Sequence, residues 1–192
     1  MIYYVTKNSA CFKLDLNGVA EITSEMPTGR ALGGWAVSGN KAVAINGGHL
    51  WVGEICESGM KTVKNIETAR KWGDRGVTMT GSHAYFCWGH SVQCLDLVTH
   101  KISPVMGIPN KHGCGSVEVA AQDLLLNCPS DTALVGNFLF VADTLNGRVL
   151  SYDMKRNECR VIFTGIQPFC VAADYSNVSS MILIRPKSSV LT

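Results

Sequence analysis

The stretch from Pro129 to Phe163 constrains the fold more than any other part of the chain. It holds four short apolar or β-branched runs: Pro129 to Val135, Phe138 to Asp143, Val149 to Asp153 and Cys159 to Phe163. Turn residues separate them, with Asn146-Gly147 the strongest hairpin signal among them. Runs of this length between such turns predict a four-stranded antiparallel meander.

Weaker copies recur along the whole sequence. The second strand of each copy is the easiest to find: Ile2 to Val5, Ala42 to Ile45, Ala84 to Cys87, Phe138 to Val141 and Met181 to Ile184. With Tyr3, Val43, Tyr85, Leu139 and Ile182 taken as equivalent, the intervals are 40, 42, 54 and 43 residues. An acid near the end of the third strand keeps the same rhythm, as Asp15, Glu54, Asp96 and Asp153. A lone four-stranded sheet cannot bury both of its faces. Sheets fanned around an axis bury them against one another, and a period of about 40–45 residues is one such sheet. The expected fold is therefore all-β, a β-propeller of four-stranded antiparallel blades, in one domain over residues 1–192. Val117 to Leu126 is the best helix candidate, and it lies inside the one long insertion.

The pieces count as three complete blades between two partial ones. The chain opens on a second strand, and its last copy has an inner strand (Phe169 to Ala173), a second strand and a short third at Ser189 to Leu191. These ends do not complement each other, so the expectation is an incomplete ring or one completed by a partner. A homodimer that covers the exposed edges is one solution.

Composition narrows the setting. A net charge of +2 and 46% hydrophobic residues are ordinary for a globular chain. The apolar runs are far shorter than a membrane span, and Met1 to Val5 shows no signal-peptide pattern. The eight cysteines form no C-x-x-C pair and no Cys/His cluster with zinc spacing. They read as free, buried thiols in a reducing, cytoplasmic compartment. No cofactor or resident metal is expected.

The tract from Gly107 to Asp174 resembles an NHL repeat. Gly107, Gly113 and Gly115 supply a Gly-rich loop, and Leu126-Asn127-Cys128-Pro129 a Leu-x-x-Pro lead-in. Val141 to Val149 supplies an Ala-Asp strand end and a Thr-x-Asn-x-Arg turn almost letter for letter. At the same place the other copies have Thr6 to Ser9, Asn46 to His49, Trp88 to Ser91 and Arg185 to Ser188, without the Asp and Arg. The turn's own chemistry predicts a charge-assisted hydrogen bond between Asp143 and Arg148 that fixes blade geometry. The third-strand acids Asp15, Asp96 and Asp153 are expected to accept from turn amides.

In such a fold the loops from strand four to one and from two to three share a face. That face would carry the basic residues Arg30, Arg70, Lys71, Arg75, Lys111 and Arg148, with Trp72, Trp88, His49, His90 and His112 among them. Trp and Arg are the usual interface anchors. The preferred reading is a non-catalytic scaffold that binds a protein partner through Arg30, Arg70, Lys71, Trp72, Arg75, Trp88, His90, Lys111 and His112. Trp35 and Trp51 are expected to pack inside blades. The resemblance also implies two alternatives. One is single-stranded RNA on a basic and aromatic face. The other is a metal-dependent propeller hydrolase or lyase, for which His49 and His90 in adjacent blades are the only hint. No catalytic motif is present.

Overall fold

The structure, a computed structural model, describes residues 2–5, 11–15, 18–22, 32–46, 48–68, 75–165, 167–173 and 181–183, with side chains for Gly18 and within 33–45, 48–68, 76–165 and 167–173. Five antiparallel sheets follow one another along the chain. Blade one has β1 (Ile2–Val5), β2 (Cys11–Asp15) and β3 (Gly18–Ile22). Blade two has β4 (Leu32–Ser38), β5 (Lys41–Asn46), β6 (His49–Cys56) and β7 (Gly59–Glu67). Blade three has β8 (Arg75–Met79), β9 (His83–Trp88), β10 (Ser91–Asp96) and β11 (Ile102–Gly107). Blade four has β12 (Asp131–Val135), β13 (Phe138–Asp143), β14 (Arg148–Asp153) and β15 (Glu158–Thr164). Blade five has β16 (Cys170–Ala172) and β17 (Met181–Leu183). Each complete blade is a simple meander, first strand to fourth. The described residues thus give three four-stranded blades flanked by partial ones, and they do not close a ring.

The blades bury their faces in one another. Val43, Ile45, Leu50 and Val52 of blade two pack with Val77, Ala84, Phe86 and Leu95 of blade three. Cys87, Val92 and Met106 of blade three pack with Leu139, Val141, Leu150 and Tyr152 of blade four. Phe140, Ala142 and Val149 on the other side of blade four meet Val171 of blade five. Trp35 and Trp51 pack on Ala42, Ala44 and Met60 of blade two, as expected of blade-packing residues.

These contacts correct the alignment by one residue. Tyr85 faces blade four, and its counterpart facing blade five is Phe140, whereas Leu139 faces back toward blade three. A one-residue slip reverses every side chain of a strand. The apolar runs here are buried on both faces, so no alternation in the sequence marks the phase.

The inner strands approach closely. A Cβ on Gly34 of β4 would stand 2.9 Å from the Gly76 nitrogen of β8. Gly76 itself has φ +47°, and a Cβ there would collide with the Cα of Asp131 on β12. Only glycine meets both demands at once.

The insertion between β11 and β12 is not a helix. Its regular part is a single 3₁₀ turn, Ala121–Asp123, bounded by extended residues at Ala120 and Leu124. Ala121, Leu124 and Leu126 are buried in the core between blades three and four. Their spacing supplies one turn and then an extended alternation, so no longer helical stripe exists. The expected third strand at Ser189 to Leu191 and the turns at Thr6 to Ser9 and Arg185 to Ser188 lie outside the described residues.

Candidate functional site

The two sets of loops expected on one face are bonded to each other. Thr68 N donates to Gly48 O at 2.7 Å, His90 N to Pro109 O at 3.2 Å, Leu145 N to Asn127 O at 3.0 Å and Gly165 N to Gly147 O at 3.1 Å. Each bond joins a loop between strands two and three to a loop leaving strand four.

Blade four organises this face. Asp143, at the end of β13, pairs across the hairpin with Arg148, at the start of β14. The turn between them is longer than a two-residue hairpin. Thr144–Asn146 make a 3₁₀ turn and Gly147 alone takes the left-handed conformation, at φ 63°. Arg148 Nε donates to Asp143 Oδ2 at 2.7 Å, with side chains 6% and 0% exposed. Asp143 Oδ1 accepts from Asn127 N at 2.7 Å. Arg148 Nη1 donates to Gly115 O and Nη2 to Leu125 O, each at 3.0 Å. Asn146 Nδ2 reaches Gly113 O at 2.7 Å and Asp143 Oδ2 at 2.8 Å. The turn residues therefore clamp the insertion onto blade four. A charge this buried requires such complete pairing. Arg148 makes the expected pair with Asp143 and, although it lies on this face, adds nothing to an exposed basic surface.

A second network ties blade four to blade five. Thr144 Oγ1 donates to Ser130 Oγ at 2.6 Å, and Ser130 Oγ donates to Phe169 O at 2.7 Å. Asp131 Oδ2 accepts from Val171 N at 3.1 Å, and its Oδ1 from Thr132 N at 2.9 Å. Burial raises the Asp131 carboxyl above its ordinary range, and the Val171 and Thr132 amides pull the other way.

On this rigid frame two large apolar side chains face solvent. Leu145, in the Asp143–Arg148 turn, is 52% exposed, and Phe169, leading into β16, is 38% exposed. The Thr144–Ser130–Phe169 bonds link the two loops that carry them. Val119 of the insertion is also exposed, at 45%. The sequence reading missed all three by searching for Trp and Arg. The signal was present: a leucine inside a polar turn has no core within reach.

The expected binding residues fall into three groups. Arg30, Arg70, Lys71 and Trp72 lie outside the described residues, as does the side chain of Arg75, which opens β8. Lys111 and His112 are exposed on the insertion, and the His112 ring lies 5.0 Å from that of His90. His90 is half-buried, its Nδ1 accepting from Cys128 N at 3.2 Å. Trp88 is half-buried against the core of blades two and three, and its Nε1 has no hydrogen-bond partner among the described residues.

His49 and His90 are not equivalent. His49 opens β6 opposite Asn46, the position Ser91 holds in blade three, while His90 sits in the turn before it. His49 Nδ1 lies 3.1 Å from Asn65 Oδ1. Of the third-strand acids expected to accept from turn amides, Asp96 and Asp153 do so, and the side chain of Asp15 lies outside the described residues. Asp96 Oδ1 accepts from Val98 N at 2.7 Å and Thr99 N at 2.8 Å, and Asp153 Oδ1 from Lys155 N at 2.9 Å and Arg156 N at 3.2 Å. The Thr99 and Val98 amides hold Asp96 below the usual carboxylate range.

No disulfide joins the described cysteines, but their burial is mixed. Cys87 and Cys94 are buried, Cys128 and Cys159 half-buried, and Cys56, Cys114 and Cys170 exposed. The exposed ones sit at a strand end, in the insertion and on a two-stranded blade, where no neighbouring sheet covers them. Burial pushes the Cys159 thiol up to about 11 and the Tyr85 phenol to about 12, the latter with help from Cys94.

No protein family matches the chain by sequence, and no curated protein does. Solved structures do match by shape. An auxiliary nutrient binding protein from Bacteroides thetaiotaomicron superposes at a TM-score of 0.66 with 10% identity, over 94% of this chain and 55% of that one. The computationally designed Ika8 protein gives 0.60 with 8% identity, over 95% and 55%. The structure of a nidogen/laminin complex gives 0.51 with 16% identity, over 71% and 49%. The chain thus spans about half the length of the structures it matches. At these identities the likeness concerns the fold alone: an all-β, propeller-like array of four-stranded blades.

Proposed function

We propose that this chain is a non-catalytic scaffold that binds a protein partner through the loop face around blade four. The observation that carries the reading is that Leu145 and Phe169 are two exposed apolar side chains on loops that hydrogen bonds tie together. Apolar anchors on a pre-organised surface are what a binding hot spot requires, because little ordering entropy remains to be lost on association. Lys111 and His112 form a polar rim beside them. The nature of the structural neighbours is compatible with this reading, since one is named as a nutrient binding protein and another was solved as a protein complex.

The same proposal makes the Asp143 turn a divergent NHL-type repeat within a propeller whose other blades have lost it. It also places the chain in a reducing compartment, consistent with its free thiols. RNA binding draws less support, because Lys111 is the exposed Lys or Arg among the described residues of this face and Arg148 is spent internally.

The test is affinity capture from the source cells with the wild type and with Leu145→Asp/Phe169→Asp. The expected result is a partner retained by the wild type and lost by the double variant, at an unchanged melting temperature. Equal retention by both would remove this face from the proposal. Salt-dependent retention of single-stranded RNA in place of a protein would replace the reading altogether.

A further inference from the structure

The outer strand of blade four, β15, ends its sheet with no strand beyond it among the described residues. Every second residue of such an edge turns its N–H and C=O outward, which makes it a template for another strand. We propose that β15 takes up an extended segment of a protein partner as a fifth strand, one in which apolar side chains accompany an acidic one. This surface is separate from the loop face and does not depend on the function proposed for that face.

The outer edges of the three complete blades differ in how they are guarded. β7 carries Lys61 and Lys64, both exposed, and β11 carries Pro104, which has no N–H to offer. Lysine and proline are the usual means of blocking an edge. β15 has neither: Val161-Ile162-Phe163-Thr164 runs without a charge, and Val161 and Ile162 are both exposed. The β-bulge does not separate the cases, because each of these fourth strands shifts register once against its third. A fifth strand also lies outside the ring, where neighbouring blades, which stack on faces, do not reach.

Side chains decide which strand fits. A cleft of about 250 Å³ has the edge strand in its wall: Glu158, Arg160 and Ile162 of β15 line it together with Phe138 and Ser151 of the strands behind. Ser151 stands opposite Phe140, so the cleft lies on the blade-five side of the sheet, continuous with the apolar contact that Phe140 and Phe163 make there. Val161 pairs with Leu150, which packs toward blade three. A strand added about 4.8 Å from β15 therefore sets alternate side chains over the cleft and the others beside Val161. The cations of the cleft are its freer charges. Arg156 and Arg160 are 70% and 74% exposed, and each meets one carboxylate, Asp153 at 3.8 Å and Glu158 at 3.2 Å. Asp153 already accepts from two turn amides, and the exposed Lys155 adds a third positive charge. This balance is complementary to an acidic side chain on the incoming strand.

The test pans a phage-displayed library of random linear peptides on the purified chain and titrates the best peptide by fluorescence anisotropy. Enriched peptides should combine apolar residues with Asp or Glu. Ile162→Lys gives β15 the kind of guard that β7 has, and should weaken the peptide roughly tenfold or more at an unchanged melting temperature. Arg160→Glu should weaken it as well. Leu145→Asp/Phe169→Asp should bind it as the wild type does, which separates this surface from the loop face. Methylating alternate backbone nitrogens of the peptide should abolish binding in one phase and spare it in the other, because only every second N–H of an added strand points at its neighbour. That measurement uses the wild type, so it holds even where a variant folds poorly. No enrichment, enriched peptides without acids, full affinity in either β15 variant, or the same response to both phases of methylation would each overturn the proposal. A dimer in sedimentation that Ile162→Lys dissolves would put a second copy of the chain on this edge in place of a partner.

Discussion

Arg148 donates to the Asp143 carboxylate at 2.7 Å with both side chains buried, and its two remaining nitrogens hold carbonyls of the insertion at Gly115 and Leu125. One guanidinium thus joins a hairpin to a loop more than twenty residues away in sequence. Removing it leaves a buried carboxylate without its counter-charge and takes a donor from each of the two carbonyls. Arg148→Met should cost about 3–5 kcal/mol in denaturant unfolding. Hydrogen exchange should quicken from Gly113 to Leu126 before it does in β9 or β10. A loss within about 0.5 kcal/mol, the range of a neutral surface change, would show that the clamp is dispensable.

Gly76 predicts a backbone effect of a different kind. Alanine there must adopt φ +47° and displace the Asp131 backbone, so the cost combines strain and overpacking. Gly76→Ala should lose about 2–4 kcal/mol. Gly39→Ala serves as the comparison, because it has positive φ but open space around it, and should lose only about 1 kcal/mol. Thermal melts of the two variants side by side measure the difference.

Asp131 and Asp96 respond to pH in opposite senses. Burial raises Asp131 in the folded chain, so its contribution is greatest below the ordinary carboxylate range and declines as pH rises through its folded value. Asp96 is lowered by turn amides, so its contribution is present above the ordinary range and declines as pH falls through its folded value. Asp131→Asn keeps an acceptor for Val171 N. Its stability relative to wild type should therefore improve as pH rises from about 4 to 7. For Asp96→Asn the relative stability should worsen as pH rises from about 2 to 4 and change little above that. Parallel melts at several pH values check both slopes, and slopes of the same sign would contradict the assignment.

Thiol labelling should follow exposure. Cys56 and Cys114 should react first with iodoacetamide at pH 8 in the native chain. Cys87 and Cys94 are buried, and Cys159 is half-buried with its thiol pushed up to about 11, so these should react only on unfolding. Cys170 is exposed, but burial of its sulfur and the nearby Asp131 raise it, so it should lag behind Cys114. Mass mapping over a time course gives the order directly.

Much of this fold was legible because its signals are local. The five second strands, the acids before turns and the Asp143–Arg148 pair each rest on residues a few positions apart. The phase of blade four was not legible, because Phe140 and Leu139 are equally apolar and bury on opposite sides. The insertion looked like a helix because Ala121 and Leu124 fit one turn, but Leu126 reaches the same core from an extended backbone. The site was harder still. Phe169 shares a network with Ser130 across 39 positions, and His90 meets Cys128 across 38. Distances of that kind belong to tertiary structure and leave no mark in spacing.

The burial of Leu124 and Leu126 has a further consequence. These residues complete the wall between two blades from within the very segment that displays Lys111, His112 and Val119 outward. Shortening that segment would open a void in the protein's interior, so the core constrains its length and its leucines and places no demand on its outer residues. That outer surface can be re-lettered but not trimmed.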